Sequence, residues 1–342
     1  MKNIVLIILI SVVLFSCENS EWEFDDFGTK ACYFPHQTPA RSLILGKYTE
    51  GLNENDNKGV FQIGVTMTGV YENEKERKVY FEKDESLLAN AANVQALPDA
   101  YYTIEASSPV TIEPGSIKGI IPIQLNEAFF QDTLSYAAFE EVNYVIPLRI
   151  TQVEGLDTIL SGVPVVANPD RLNPEHWAVQ PKDYTLYGIK FINKYHGNYL
   201  RRGVDVKTNA SGESINNVYH AQYVEWDEVV PVNTSGYTKV QLSKMAVRGG
   251  EGEQSPGDIK MVLNFDNDGS CTVASAPDDA FNISGTGQFV EEGDTWGGKP
   301  RDVIHLSYTY SDAVNNETHT VKDTLVIRDR NVTFEEFQVE LN

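Results

Sequence analysis

A two-residue alternation of apolar and polar side chains is the feature that most restricts how this chain can fold. Successive strand side chains point to opposite faces of a sheet, so a half-buried strand alternates strictly, whereas a helix needs a period near 3.6. Phe61, Ile63, Val65 and Met67 fall on one face, and Gln62, Gly64, Thr66 and Thr68 on the other. The pattern returns at Ile121, Ile123 and Leu125 and at Tyr144, Ile146, Leu148 and Ile150, while helical spacing is confined to residues 86–93 and 127–132. Pro122 and Pro147 suggest edge strands, where a missing N–H is tolerated. With turn residues such as Glu113-Pro114-Gly115-Ser116, residues 31–165 are expected to form an immunoglobulin-like β-sandwich of about seven strands.

Pro164, Pro169 and Pro174 then disfavour helix and central strand alike, which places a Pro-rich linker at residues 166–180. Beyond it, residues 181–342 read as a meander of longer strands, with runs at 184–191, 199–206, 218–226, 239–247, 259–265, 271–274, 281–290, 303–310, 321–328 and 332–340. Antiparallel strands of this number can close on themselves and leave no edge. The expected fold is therefore all-β, a sandwich followed by a lipocalin-like antiparallel β-barrel, with a second β-sandwich as the alternative. A length of 342 residues suits two domains.

The amino terminus reads as an address. Residues 1–17, MKNIVLIILISVVLFSC, carry one positive charge and an apolar run shorter than the ~20 residues a spanning helix needs. Residues 1–16 are expected to be a lipoprotein signal peptide. Leu14-Phe15-Ser16-Cys17 resembles a bacterial lipobox, which makes Cys17 the lipidation site and the lipid the only membrane contact. Residues 17–30 form an acidic tether, similar to the export signals of Bacteroidota lipoproteins sent to the outer leaflet of the outer membrane. Cys32 and Cys271 lie in different expected domains and are read as separate buried thiols.

Composition removes whole classes of function. With 27 basic and 49 acidic side chains the formal charge is −22, the wrong sign for nucleic acid, whose phosphates require a Lys/Arg surplus. The 17 Tyr, 15 Phe and 4 Trp supply too much buryable surface for a disordered chain.

Four segments, Tyr33-Phe34-Pro35-His36-Gln37-Thr38-Pro39-Ala40-Arg41, Val65-Thr66-Met67-Thr68-Gly69-Val70-Tyr71-Glu72-Asn73, Tyr101-Tyr102-Thr103-Ile104 and Tyr144-Val145-Ile146-Pro147-Leu148-Arg149-Ile150, resemble the amino-terminal domain of Bacteroidota surface lipoproteins of unknown function. The second half is similar to a carboxy-terminal domain of unknown function that accompanies it, through the stretch from Tyr184 to Gly197 and Gly285-Thr286-Gly287-Gln288-Phe289. The resemblance implies an immunoglobulin-like first domain and a place in glycan-utilisation loci, with polysaccharide or oligosaccharide as ligand and outer-membrane importer lipoproteins as partners. It supplies no catalytic motif, so no residue inherits a role.

Sugar binding on β-domains needs an exposed aromatic face and polar neighbours. Trp296, among glycines in Gly293-Asp294-Thr295-Trp296-Gly297-Gly298-Lys299, is the first candidate. Trp226 follows, in Glu225-Trp226-Asp227-Glu228 at a strand end; packing is the competing reading for both, and for Trp177. Tyr195, Tyr199, Arg201 and Arg202 cluster around a turn, where the arginines fork onto an anionic sugar or pair with nearby acids. Asn264-Phe265-Asp266-Asn267-Asp268-Gly269 begins like a calcium loop, but Ser275 stands where the bidentate acid belongs, so Asp268-Gly269 is read as a hairpin turn.

Enzyme signatures are lacking: there is no Gly-x-Ser-x-Gly, His-Glu-x-x-His, phosphate loop or CxxC. The expected protein is non-catalytic, with no cofactor and no metal. Asp132-Thr133-Leu134, Asp157-Thr158-Ile159 and Asp323-Thr324-Leu325 look like the acceptor motif for O-glycosylation of exported Bacteroidota proteins, at Thr133, Thr158 and Thr324. The leading expectation is a cell-surface glycan-binding lipoprotein of the outer membrane. The alternatives are an interaction lipoprotein without a sugar site and a barrel enclosing an apolar small molecule.

Overall fold

The structure is a computed structural model that describes residues 26–136, 141–246, 254, 257–277, 279–332 and 335–342. The expected signal peptide, Cys17 and the expected tether up to residue 25 lie outside the described residues. Two sheets face each other in the first half. One runs, across its strands, Thr158–Ile159, Ala31–Tyr33, Val60–Thr68, Lys118–Leu125 and Tyr102–Ile104. The other runs Glu335–Glu336, Pro39–Ile44, Tyr184–Ile192, Tyr144–Glu154, Arg77–Lys83 and Val110–Ile112, with Gln95–Ala96 also against Tyr144–Glu154. The alternating apolar residues named above all point into the core between them, together with Cys32, Val79, Ile189 and Phe191. The two helical stretches are single turns, Glu85–Leu88 and Glu127–Gln131, started by the side chains of Asp84 and Asn126, which accept from Ser86 N and Ala128 N.

Pro122 and Pro147 occupy interior strands rather than edges. Each lies where the strand on its N–H side has just ended: Pro147 O accepts from Asp84 N, one residue past Arg77–Lys83, and Pro122 O accepts from Glu105 N, one past Tyr102–Ile104. A ladder that has run out asks for no N–H, so a central strand can hold a proline there.

Tyr184–Ile192 does not open the second domain. It is a central strand of the first, antiparallel to Tyr144–Glu154 and parallel to Pro39–Ile44. Its near-continuous burial follows from a cover on both faces. Ile189 and Phe191 enter the sandwich core, while Tyr184 and Leu186 pack with Val145, Val142 and Phe337 on the outer side. Phe337 belongs to the stretch at 332–340 expected as a last barrel strand. That stretch instead returns to the sandwich, pairs Glu335–Glu336 with Pro39 and Ala40, and is held further along by Ala92 N donating to Glu340 O.

The second half closes into a barrel of eight antiparallel strands. They are Gly197–Asn209; Ser214–Tyr219 continued by Glu228–Thr234; Lys239–Leu242; Met261–Phe265; Ser270–Ser275; Ser284–Trp296; Lys299–Asp312; and Glu317–Asp329. Closure is a ladder from Asn198 opposite Asp329 to Asn209 opposite Glu317, with one register shift between Asn198 and Tyr199. Asp268-Gly269 is a hairpin turn, with Gly269 at a positive φ and its N–H donated to Asp266 O. The interior is filled. Tyr199, Val230, Leu263, Phe265, Phe289, Ile304, Leu306, Tyr308 and Leu325 belong to one continuous apolar cluster, as expected of eight strands, whose bore is just wide enough for side chains. Gly285 and Gly287 make room there, because a Cβ on them would sit 2.6 Å from Tyr308 Cβ and 2.7 Å from Leu306 Cδ2. Where these side chains fill the bore, they leave no room for an enclosed apolar ligand. Cys32 and Cys271 are free and buried, and burial pushes both thiols up to about 12.

Candidate ligand-binding site

The sequence feature that shapes the site is Arg201-Arg202. Neighbouring residues on a strand face opposite ways, so one guanidinium enters the barrel and the other points out. Arg201 is 2% exposed, and its partner Asp323 3%. Arg201 Nε donates to Asp323 Oδ2 at 3.2 Å, and Nη2 donates to Tyr219 Oη at 3.1 Å and to Met245 O at 3.0 Å. Tyr308 and Tyr219 donate their hydroxyls to the two oxygens of Asp323. Burial works against the Arg201 charge, but Asp323 and the surrounding hydroxyls outweigh it and hold the guanidinium above its ordinary range. Gly203 faces this network, where a Cβ would lie 2.4 Å from Asp323 Oδ1.

Outside the barrel, Arg202 Nε donates to Asp227 Oδ2 at 2.6 Å, and Asp227 Oδ1 accepts from Ala221 N at 2.6 Å. Tyr219, the last strand residue before it, and Asp227, its final residue, bound an excursion, residues 220–227, that interrupts the second barrel strand. Each arginine therefore fastens one end of it. The excursion tightens through Trp226 N donating to Tyr223 O and Asp227 N to Val224 O. What it presents is an aromatic pair: Trp226 is 66% exposed and Tyr223 48%, edge to face at 4.9 Å. Gln222 and Glu225 are exposed beside them, as are Val218 and Val229.

Trp296 is placed differently. It ends Ser284–Trp296 before the Gly297-Gly298 turn, half-buried, with Nε1 donating to Ile327 O at 3.0 Å and the Arg301 guanidinium 4.1 Å from its ring centre. Trp177 is buried. Tyr199 is fully buried with its hydroxyl on Tyr195 O. Tyr195 stacks on Phe265 at 3.7 Å and is 3% exposed, contributing only to the wall of a cleft of about 310 Å³ between the two halves. Asn57, Asn193, Lys194, Tyr237 and Asp266 also line that cleft. Of the sequence candidates, the fold brings Trp226, Arg201 and Arg202 together and leaves Trp296, Tyr195 and Tyr199 elsewhere. Tyr223 was missed, since its partnership with Trp226 depends on the short turn between them.

Thr133 and Thr158 are exposed, whereas Thr324 is half-buried mid-sheet, 3.3 Å from His305 Nδ1. The aspartates before them have structural partners: Asp132 accepts from Tyr101 and Tyr144, Asp157 from Lys30 N, and Asp323 anchors the buried network.

The fold and site together define a two-domain all-β protein, a sandwich carrying a closed, packed barrel with a fastened aromatic excursion. Residues 194–331, beginning just before the first barrel strand, match the domain of unknown function DUF5627, and residues 27–157 match a family model for an N-terminal domain. A crystal structure of a protein of unknown function from Bacteroides ovatus is 36% identical, aligns over 93% of this chain and 100% of that chain, and superposes with a TM-score of 0.83. The chain belongs to that Bacteroides family of unknown function. More remote likenesses are a multidomain protein including DUF1735 from Bacteroides ovatus (14% identical, 91% of this chain and 99% of that chain, TM-score 0.42) and an auxiliary nutrient binding protein from Bacteroides thetaiotaomicron (14%, 84% and 90%, TM-score 0.39). No curated protein matches the chain.

Proposed function

We propose that this protein is a non-catalytic lipoprotein of the outer membrane, anchored through Cys17 and facing the exterior, that binds extracellular glycan as an accessory to polysaccharide uptake. The observation that carries the reading is the Trp226–Tyr223 pair. Large aromatic faces left in water cost hydrophobic stabilisation, and here the exposure is maintained by a buried charge network and an outer ion pair. A rigid, exposed indole flanked by Gln222 and Glu225 suits the C–H face and the hydroxyls of a pyranose. The lipobox and the acidic tether supply the location. The expected importer partners rest on the family resemblance.

The test is a polysaccharide panel screened by affinity gel shift with protein lacking residues 1–17, followed by calorimetry. Trp226→Ala is expected to cost about 2 kcal/mol, roughly thirtyfold in affinity. Trp296→Ala and Tyr237→Ala, the latter in the interdomain cleft, are expected to leave affinity unchanged. No binding by folded protein, or unchanged affinity in Trp226→Ala, refutes the site.

One observation favours a second reading, docking on a partner protein. Among the described residues, Ser214–Tyr219 pairs only with Gly197–Asn209, and Ile215 and Val218 on it are exposed. An open strand edge with apolar side chains can accept another strand. Co-purification of a stable outer-membrane complex, lost in a Val218→Lys variant that still binds no glycan, would select it.

A further inference from the structure

The same three strands that hold the Arg201 network carry a second buried polar group nearer the hairpin that joins Lys299–Asp312 to Glu317–Asp329. Asp205 and Lys207 face inward from Gly197–Asn209, Tyr310 and Asp312 from Lys299–Asp312, and His319 from Glu317–Asp329. Glu317 starts the last strand with its side chain mostly buried. Among the described residues, three carboxylates thus face one lysine ammonium and one imidazole. The ammonium is already used: Lys207 Nζ lies 3.5 Å from Glu317 Oε1.

His319 makes the arrangement more than an acidic cluster. Its Nδ1 is 2.8 Å from Asp205 Oδ2, and its ring lies parallel to Tyr310 with centres 4.2 Å apart, so its orientation is fixed. Among the described residues its buried Nε2 has no hydrogen-bond partner, although the residue is only 3% exposed, and it points to the second oxygen of Glu317, Oε2, 3.8 Å away. Asp205 Oδ1 is likewise buried without a partner among the described residues. An orphaned imidazole nitrogen inside a packed barrel costs desolvation free energy unless something binds it. Asp312 completes the group. Its oxygens accept from Val314 N, Asn315 N and Asn315 Nδ2, which fixes the carboxylate while leaving lone pairs unused. One ligand atom each from Asp312, Glu317 and His319 lies within 4.8 Å of the others.

We propose that this end of the barrel binds one divalent first-row transition ion of the Zn2+ or Co2+ type, with His319 Nε2, Glu317 Oε2 and Asp312 as ligands. Asp205 acts behind His319. A carboxylate on Nδ1 fixes the tautomer and makes Nε2 the stronger donor, one of the recurrent arrangements behind metal-bound histidines. Metal–ligand distances of about 2.0–2.1 Å require ligand atoms about 3.3 Å apart, so His319 Nε2 and Glu317 Oε2, 3.8 Å apart, close by roughly 0.5 Å, and the remaining separations, within 4.8 Å, by up to about 1.5 Å around the ion. A nitrogen donor with two carboxylates suits a borderline ion, whereas Ca2+ and Mg2+ take oxygen ligands. Three protein ligands leave a fourth position for water.

The test uses the full chain, stripped with EDTA and titrated with Co2+ by visible absorption and with Zn2+ by calorimetry. The expected result is one equivalent bound, with d–d bands for Co2+ that Zn2+ abolishes. His319→Gln and Glu317→Gln are expected to lose the bands, and Asp205→Asn to weaken binding by about 10–100-fold. Circular dichroism and the melting temperature show whether each variant is folded, and any one folded variant suffices to judge the assignment. Absence of saturable Co2+ binding by the folded wild-type chain, a preference for Ca2+ or Mg2+ over Co2+, or unchanged affinity in a folded ligand variant overturns it.

Discussion

Replacing Arg201 by Met tests the account of the barrel most directly. Methionine fills much of the same volume, so the perturbation is the loss of a buried charge and three donated hydrogen bonds to Asp323, Tyr219 and Met245. Among the described residues, Asp323 would then keep only the hydroxyls of Tyr219 and Tyr308, with no other cation at ion-pair distance. Removing one partner of a buried ion pair costs about 3–5 kcal/mol, because the other charge stays buried and uncompensated. At about 2–4 °C per kcal/mol for a domain of this size, the melting temperature falls by roughly 6–20 °C. Asp323→Asn alone should be comparably costly. Combined with Arg201→Met it should cost less than the sum, by at least about 2 kcal/mol of coupling. Thermal unfolding of the wild type, the two single variants and the double variant, followed by circular dichroism, closes the cycle. The reasoning fails if Arg201→Met shifts the melting temperature by under about 2 °C, as a surface change would, or if the two substitutions add.

Two further outcomes are expected. His196 accepts Thr234 N on Nδ1 at 3.0 Å, and burial, aided by Arg330 and Lys190, pushes its pKa from 6.5 down to about 3. The unfolded chain therefore binds the proton first, so stability is complete above about pH 6.5 and falls as pH drops toward 3, by on the order of 5 kcal/mol in all. Urea midpoints against pH should show this slope in the wild type and a shallower one in His196→Asn; coincident profiles would disprove it. Phe337→Ala removes the ring that covers Leu186 and Tyr184 from the returning carboxy-terminal segment and should destabilise the sandwich by about 3–5 kcal/mol. A wild-type melting profile would show that this segment contributes no packing.

Period-two alternation determined, from sequence alone, that the chain is all-β, which residues line the sandwich core, and that the second half is a meander. Each of these follows from local geometry, because a strand's two faces are encoded in its own neighbouring residues. Asp268-Gly269 was legible as a hairpin for the same reason, since the turn needs only a residue that tolerates positive φ. Tertiary structure decided where elements went. Tyr184–Ile192 has the composition of a strand buried on both faces, but nothing local says whose sheet supplies the neighbours, and the covering ring, Phe337, lies about 150 positions away. Pro122 and Pro147 look like edge markers until one sees that only the neighbouring strand ends beside them. The candidate site divides in the same way. Trp226 and the two arginines could be picked out as residue types, but which arginine is buried, and that Trp226 rather than Trp296 stays open, depends on strand phase and on partners such as Asp323 and Ile327. His319, Glu317, Asp312 and Asp205 show no shared motif. Barrel closure places the first strand of the barrel against the last, and ligand chemistry built across that seam becomes visible only once the chain has folded.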